Sequence, residues 1–228
     1  HYALPIYYLK QDIKLAYYRW RNELRFGFAW APLELIAYVV ENDKPYTEIL
    51  TAEYTMANRS SAEILGADHL AFPNGVAYDT FQKAIHQGQV VVDDQYQTTA
   101  PEFSPLGFET YSLISHSGFI EYPHAGILTE PAFLARYPTT ETNRNRARSR
   151  WTNFHFLGFD IEKSAGRTQN PEALADKNNP TFNNPNCTVC HTLMDPVAGA
   201  FKHFSNDGHY NPYGGEDALP NSYKYPED

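Results

Sequence analysis

The sequence predicts a mainly α-helical fold with long irregular loops and a few short strands. Three observations carry this prediction. Apolar and aromatic residues recur at helical spacing near the N-terminus, the segment 143–157, which carries Arg144, Arg146, Arg148, Arg150 and Trp151, reads as a longer helix, and Asn and Pro crowd residues 158–186.

Between residues 12 and 26, Ile13, Leu15, Ala16, Tyr17, Trp20 and Leu24 alternate with Lys14, Arg19, Arg21 and Arg25, the pattern of an amphipathic helix. A second helix is expected to open at Pro32, a good first-turn residue, and to run through Leu35, Ile36 and Val39 to the turn signal Asn42-Asp43. Pro45 opens a third through Ile49 and Leu50, and residues 58–66 read as a short helix ended by glycine. Three consecutive valines make 88–93 the clearest strand, with short strands expected around 111–115. A capping pattern before Pro131 predicts a helix to Tyr137, and a longer helix is expected over 143–157. Residues 158–186 read as mostly loop, with a last helix at about 196–204.

With 228 residues the chain can bury a core, and two regions are expected, 1–122 and 123–228, folded as one compact unit. The balance of 18 basic against 27 acidic residues gives a net charge of −9, which repels a phosphate backbone, so nucleic acid is not an expected partner. No apolar run approaches the roughly 20 residues of a membrane span, so none is expected. His1 is followed by an aromatic stretch with no basic leader; this fits a mature or trimmed chain and does not argue for the cytoplasm. Aromatic residues reach 15 %, enough to pack against a flat ring or partner chains. No nucleophile-elbow or phosphate-loop pattern occurs, and no nucleotide cofactor is expected.

The chain has two cysteines, and they lie in Cys187-Thr188-Val189-Cys190-His191. This is the Cys-x-x-Cys-His pattern that attaches haem c: two thiols one helical turn apart add across the two vinyl groups, and the adjacent imidazole takes the iron. Three other readings use the same residues. Cys187, Cys190, His203 and His209 have zinc-finger spacing, although Asn206-Asp207-Gly208 and Asp195-Pro196 interrupt the helix that a finger needs. A redox dithiol would follow a strand in a βαβ unit, whereas here an Asn/Pro loop precedes the motif. A simple disulfide staple is the third.

A wider resemblance favours haem. From Cys187 through His191-Thr192-Leu193-Met194-Asp195-Pro196 to Phe204, and on to Asp207-Gly208-His209-Tyr210, the sequence resembles the haem segment of the large planctomycete-type cytochrome c family. Gly126-Ile127-Leu128-Thr129-Glu130-Pro131-Ala132-Phe133-Leu134 and residues 148–158 around Trp151 are similar to the segment preceding that haem, and residues 43–55 with Asn58 to the helical region before it. The resemblance implies a c-type cytochrome-like haem segment at the C-terminal end, one covalent haem c, and an exported protein, periplasmic or extracellular. It also implies further segments in relatives, often with another haem motif, and an Arg where this chain has His124.

Met194 follows His191 by three residues, on the same side of the ring, and is rejected as the second axial ligand. His124 leads the remaining candidates, ahead of His209, His203, His116, His155 and Met56. Arg148 and Arg150 are the first candidates to hold the haem propionates, against the alternative of a solvated basic face. The expected function is electron transfer by a single haem, with other redox proteins or haem subunits of a larger complex as partners. Two alternatives remain: a haem enzyme of peroxidase or oxidase type with an open distal site, and a zinc- or disulfide-stapled assembly module.

Overall fold

A computed structural model describes residues 11–73, 75–92, 116–140, 143–166, 168–178 and 180–212, with the side chains of 11–21, 92, 116 and 117 set aside. The described chain is mainly helical with irregular connections and short strands, as the sequence predicts. It divides into two compact units, His1–Ala132 and Phe133–Asp228.

Unit 1 is built on α1 (Gln11–Glu41), one helix where two are expected. Pro32 lies inside it rather than at a start. A proline there removes the N–H bond to the carbonyl four residues earlier, but Leu24, Ala31, Leu35 and Val39 form one buried stripe across it. Burying that stripe holds both halves in register, and tertiary packing outweighs the local breaker. A short helix, α2 (Glu48–Thr51), follows the turn at Asn42-Asp43. The strand β1 (Thr55–Ala57) leads into α3 (Arg59–Ile64), and β1 pairs antiparallel with β2 (Gln82–Ala84), Met56 facing Lys83. The sequence reading missed both strands, since three residues are too few to show a period. The valine run forms β3 (Gln89–Val92), which pairs antiparallel with β4 (His116–Ile120) with an irregularity between Val91 and Val92. The strands expected at 111–115 lie outside the described residues.

Asn58 is the joint of this unit. Its Oδ1 accepts from Ser61 N–H at 2.9 Å, Ser61 Oγ accepts in turn from Asn58 N–H at 3.0 Å, and together they cap α3. Its Nδ2 donates to the carbonyls of Glu23 on α1 and Tyr78, both at 2.9 Å. α1 comes close enough at Gly27 that a Cβ there would lie 2.5 Å from Asn58 Oδ1. Arg59 adds two-pronged bonds to the Glu23 carboxylate at 2.7–3.0 Å. The turn of 3-10 helix at Gly126–Thr129 docks on α2: Gly126 N–H donates to Ala52 O, and a Cβ on Gly126, which has φ 47°, would meet Ile49 O at 2.1 Å. This contact joins residues 43–55 to the Gly-Ile-Leu-Thr run, two of the segments that carry the family resemblance.

Unit 2 follows α4 (Pro131–Arg136), whose residues from Phe133 onward belong to it. It contains α5 (Arg146–Leu157), α6 (Ile161–Ser164), α7 (Pro171–Ala175), α8 (Pro180–Asn183) and α9 (Pro185–Ala200). The stretch read as mostly loop thus holds three short helices. The residues taken for breakers start them: Asp160 and Asn170 accept from N–H groups of the first turns, and Pro171 and Pro180 open their helices. The same logic corrects the last helix. It spans 185–200 rather than 196–204, because the Asn184 side chain accepts from Asn186 N–H and Pro185 occupies the first turn. Pro196 is carried inside α9, where Asp195, Ala198 and Gly199 are buried and α9 packs on α5.

Asn58→Ala should destabilise the protein by about 2–4 kcal/mol, since it removes a helix cap and leaves two buried carbonyls without a donor. Chemical denaturation followed by far-UV circular dichroism measures this; a loss below about 0.5 kcal/mol would refute the joint.

A candidate haem-attachment site

The first turns of α9 carry the motif. Cys187 and Cys190 are free thiols, both partly exposed, one turn apart, with Cys190 Sγ 3.9 Å from Ile161 O. The imidazole of His191 has its Nδ1 2.9 Å from Oδ1 of Asp195, one turn further on. Asp195 is fully buried. Burial pushes its carboxyl up, but the bonds from His191 and Arg146 outweigh that and hold it below the usual carboxylate range. Arg146, the first residue of α5, grips it with Nε at 2.8 Å from Oδ1 and Nη2 at 3.2 Å from Oδ2. Ser149, one turn along α5, donates to Met194 O at 2.7 Å and pins the backbone beside it.

These residues fit a covalent haem. Thiol addition needs free thiols, and both are present. An iron ligand needs one imidazole nitrogen protonated and fixed and the other available; Nδ1 faces a carboxylate, and Nε2 makes no hydrogen bond within the described residues. Val189 and Leu193, 58 % and 52 % exposed, share the face of α9 turned away from His191, so they are no part of the surface that a ring bound there would meet.

The two arginines expected to meet propionates have other partners. Arg148 is fully buried. Its five N–H donors reach Tyr137 O, Asn145 Oδ1, Phe204 O, Leu134 O and Ser205 O at 2.7–3.1 Å. It therefore ties α4, α5 and the chain after α9 together. Arg150 pairs with Asp160 at 3.0 Å and Glu162 at 2.7 Å, bridging α5 to α6. A polar pattern on a helix reads as solvated, and nothing in the composition shows that the first turn of α5 is turned inward.

The candidate second ligands are spread through the fold. His124 is buried in unit 1, with Nε2 3.2 Å from Tyr54 O and Nδ1 2.9 Å from Thr129 Oγ1, so binding iron would break one of these contacts. Its ring meets His86 at 4.6 Å, and His86 stacks on Tyr122 at 4.9 Å. Burial, with the neighbouring His86 adding to it, holds His124 down to about 3, whereas burial pushes Glu130, 3.9 Å away, up to about 8 against the opposing bond from Thr55. His124 is therefore neutral and Glu130 protonated at neutral pH.

Elsewhere, His155 Nε2 meets the Tyr137 hydroxyl at 2.9 Å, beside Trp151. His203 Nδ1 faces Asn211 O, and His209 Nδ1 faces Asp207. Met56 is buried in β1, and the side chain of His116 lies outside the described residues. Within those residues no three His, Cys, Asp or Glu side chains converge as a metal set, so the finger quartet of Cys187, Cys190, His203 and His209 is not assembled. Sequence reasoning missed Asp195, Arg146 and Ser149. The four-residue interval from His191 to Asp195 was the available signal, since it places both on one helix face.

Arg148→Met should destabilise the protein by about 3–5 kcal/mol by orphaning buried acceptors; denaturation at neutral pH measures it, and a propionate partner alone would leave the haem-free protein unchanged. For Glu130 the folded state holds a proton that the unfolded state releases above about 4.5, so its contribution to stability falls as pH rises from about 4.5 to about 8. Glu130→Gln keeps the acceptor for Thr55 and should flatten that fall, leaving the variant more stable than the parent at pH 8; an unchanged slope of stability against pH would refute the protonated state.

Residues 124–213 match a family model described as PSCyt3, a protein of unknown function (DUF1588). No curated protein and no solved structure matches the chain. The matched stretch includes Cys187, Cys190, His191, Asp195 and the arginines of α5, and the family's name marks it as a cytochrome-like segment, in coarse agreement with the resemblance read from the sequence.

Proposed function

We propose that the chain carries one covalently bound haem c and transfers single electrons. The observation that carries this reading is the arrangement on α9: two free thiols one turn apart beside an imidazole whose Nδ1 is held by a buried carboxylate. Each thiol would add its S–H across one vinyl group, forming one C–S and one C–H bond with nothing released. His191 would supply Nε2 to the iron from the neighbouring turn. When bound, the haem supplies one-electron exchange between ferric and ferrous iron.

The chain's own residues anchor and orient. Cys187 and Cys190 would hold the haem covalently on α9. Arg146 and Ser149 hold α9 against α5, so that the ligand is set by packed helices rather than by a loop. Attachment of this kind takes place after export, and a periplasmic or extracellular site with redox proteins as partners belongs to the same reading. Among the described residues no helix is long and apolar enough to cross a membrane.

One observation favours a haem catalyst as the second reading: the buried anionic carboxylate behind His191 makes the imidazole a stronger donor than a neutral acceptor would. Carbon monoxide and peroxide separate the two. Six-coordinate low-spin iron that binds neither supports transfer, and high-spin iron that binds both supports catalysis.

The covalent reading is tested by expressing the chain in an exporting host with haem-attachment machinery and weighing it denatured. The parent should carry one porphyrin's mass and give a reduced spectrum in alkaline pyridine. Cys187→Ala with Cys190→Ala should carry none. A colourless parent whose mass equals that of its amino acids would end the proposal.

A further inference from the structure

We propose that Asp195, clamped by Arg146, is the positioning residue for His191 and lowers the reduction potential of the iron bound there. This rests on the haem reading above and names its electronic control.

Three features of the geometry carry it. The carboxylate is fully buried, so water does not compete for its oxygens. Oδ1 lies 2.9 Å from His191 Nδ1, a length typical of a bond between a ring N–H and a charged acceptor. Both oxygens are also taken by one guanidinium, Nε on Oδ1 and Nη2 on Oδ2, which fixes the plane of the carboxylate from a second helix. The position of the acceptor is thus set by α5, while the ring it faces belongs to α9.

A carboxylate accepting from Nδ1–H fixes the tautomer in which Nε2 carries the lone pair. It also draws the Nδ1 proton toward itself, which makes Nε2 a more basic donor. A more basic axial nitrogen stabilises ferric over ferrous iron and lowers the potential. Arg146 limits the effect, because its positive charge offsets part of the carboxylate's field while holding it in place. The two residues therefore act with opposite signs, which separates an electronic role from a merely structural one.

The test compares the holoproteins of the parent, Asp195→Asn and Arg146→Gln by potentiometric titration followed in the visible spectrum, with denatured mass confirming one attached porphyrin in each. Asp195→Asn should shift the reduction equilibrium about tenfold toward ferrous iron, which is about 59 mV upward for one electron. Arg146→Gln should move it downward. If Asp195→Asn yields no folded holoprotein, Arg146→Gln decides alone: a lower potential supports the proposal, and an unchanged or higher one overturns it. An unchanged potential in a haem-loaded Asp195→Asn also overturns it while leaving covalent attachment intact, whereas a parent without porphyrin defeats the haem reading itself.

Discussion

A buried guanidinium organises unit 2. Arg148 has five N–H donors, and five acceptors within 3.1 Å take them, four of them backbone carbonyls from residues 134, 137, 204 and 205. A cation this deep is tolerable only when every donor is met, and meeting them fixes two stretches of chain, 134–137 and 204–205, against the first turns of α5. The other polar residues of those turns follow from that placement. Asn145, in the left-handed region and fully buried, reaches Phe201 O; Arg146 reaches Asp195; Ser149 reaches Met194 O. α5 therefore meets the middle and end of α9 largely through hydrogen bonds.

The thiols and the imidazole lie near the N-terminal end of α9, while the anchoring residues, Met194 to Phe201, lie after them. Asp195 belongs to both groups, because one carboxylate touches His191 on its own helix and Arg146 on the other. The imidazole of His191 is thus coupled to α5 through a buried charge. The exposed Val189 and Leu193 belong to the side of α9 that α5 leaves open.

The sequence made the elements more legible than their contacts. Periodicity and capping residues located α1, α3, α4, α5 and β3, because each has a period or a cap that acts within a few residues. Pro32 and Pro196 misled, since a proline's local cost is visible in sequence and the long-range burial that overrides it is not. The Asn and Pro residues of 158–186 misled in the other direction: the same residue types end helices and begin them, and only the fold decides which. At the site, Cys187, Cys190 and His191 were readable from their spacing. The roles of Arg148 and Arg150 were not, because an arginine facing carbonyls and one facing solvent give the same letter.

His124 shows the limit most clearly. A histidine in place of the Arg expected from the family pattern invites a functional reading, yet here it sits between Tyr54 O and Thr129 Oγ1, against His86 and close to a protonated Glu130. Both ring nitrogens are engaged, and burial keeps the ring neutral. A neutral imidazole can be donor on one side and acceptor on the other. Opposite Tyr54 O it must donate, which leaves Nδ1 to accept from the Thr129 hydroxyl. An arginine could not accept there, and its charge would favour the ionised form of Glu130, 3.9 Å away. A neutral imidazole at position 124 and a protonated Glu130 together leave this pocket of unit 1 without net charge.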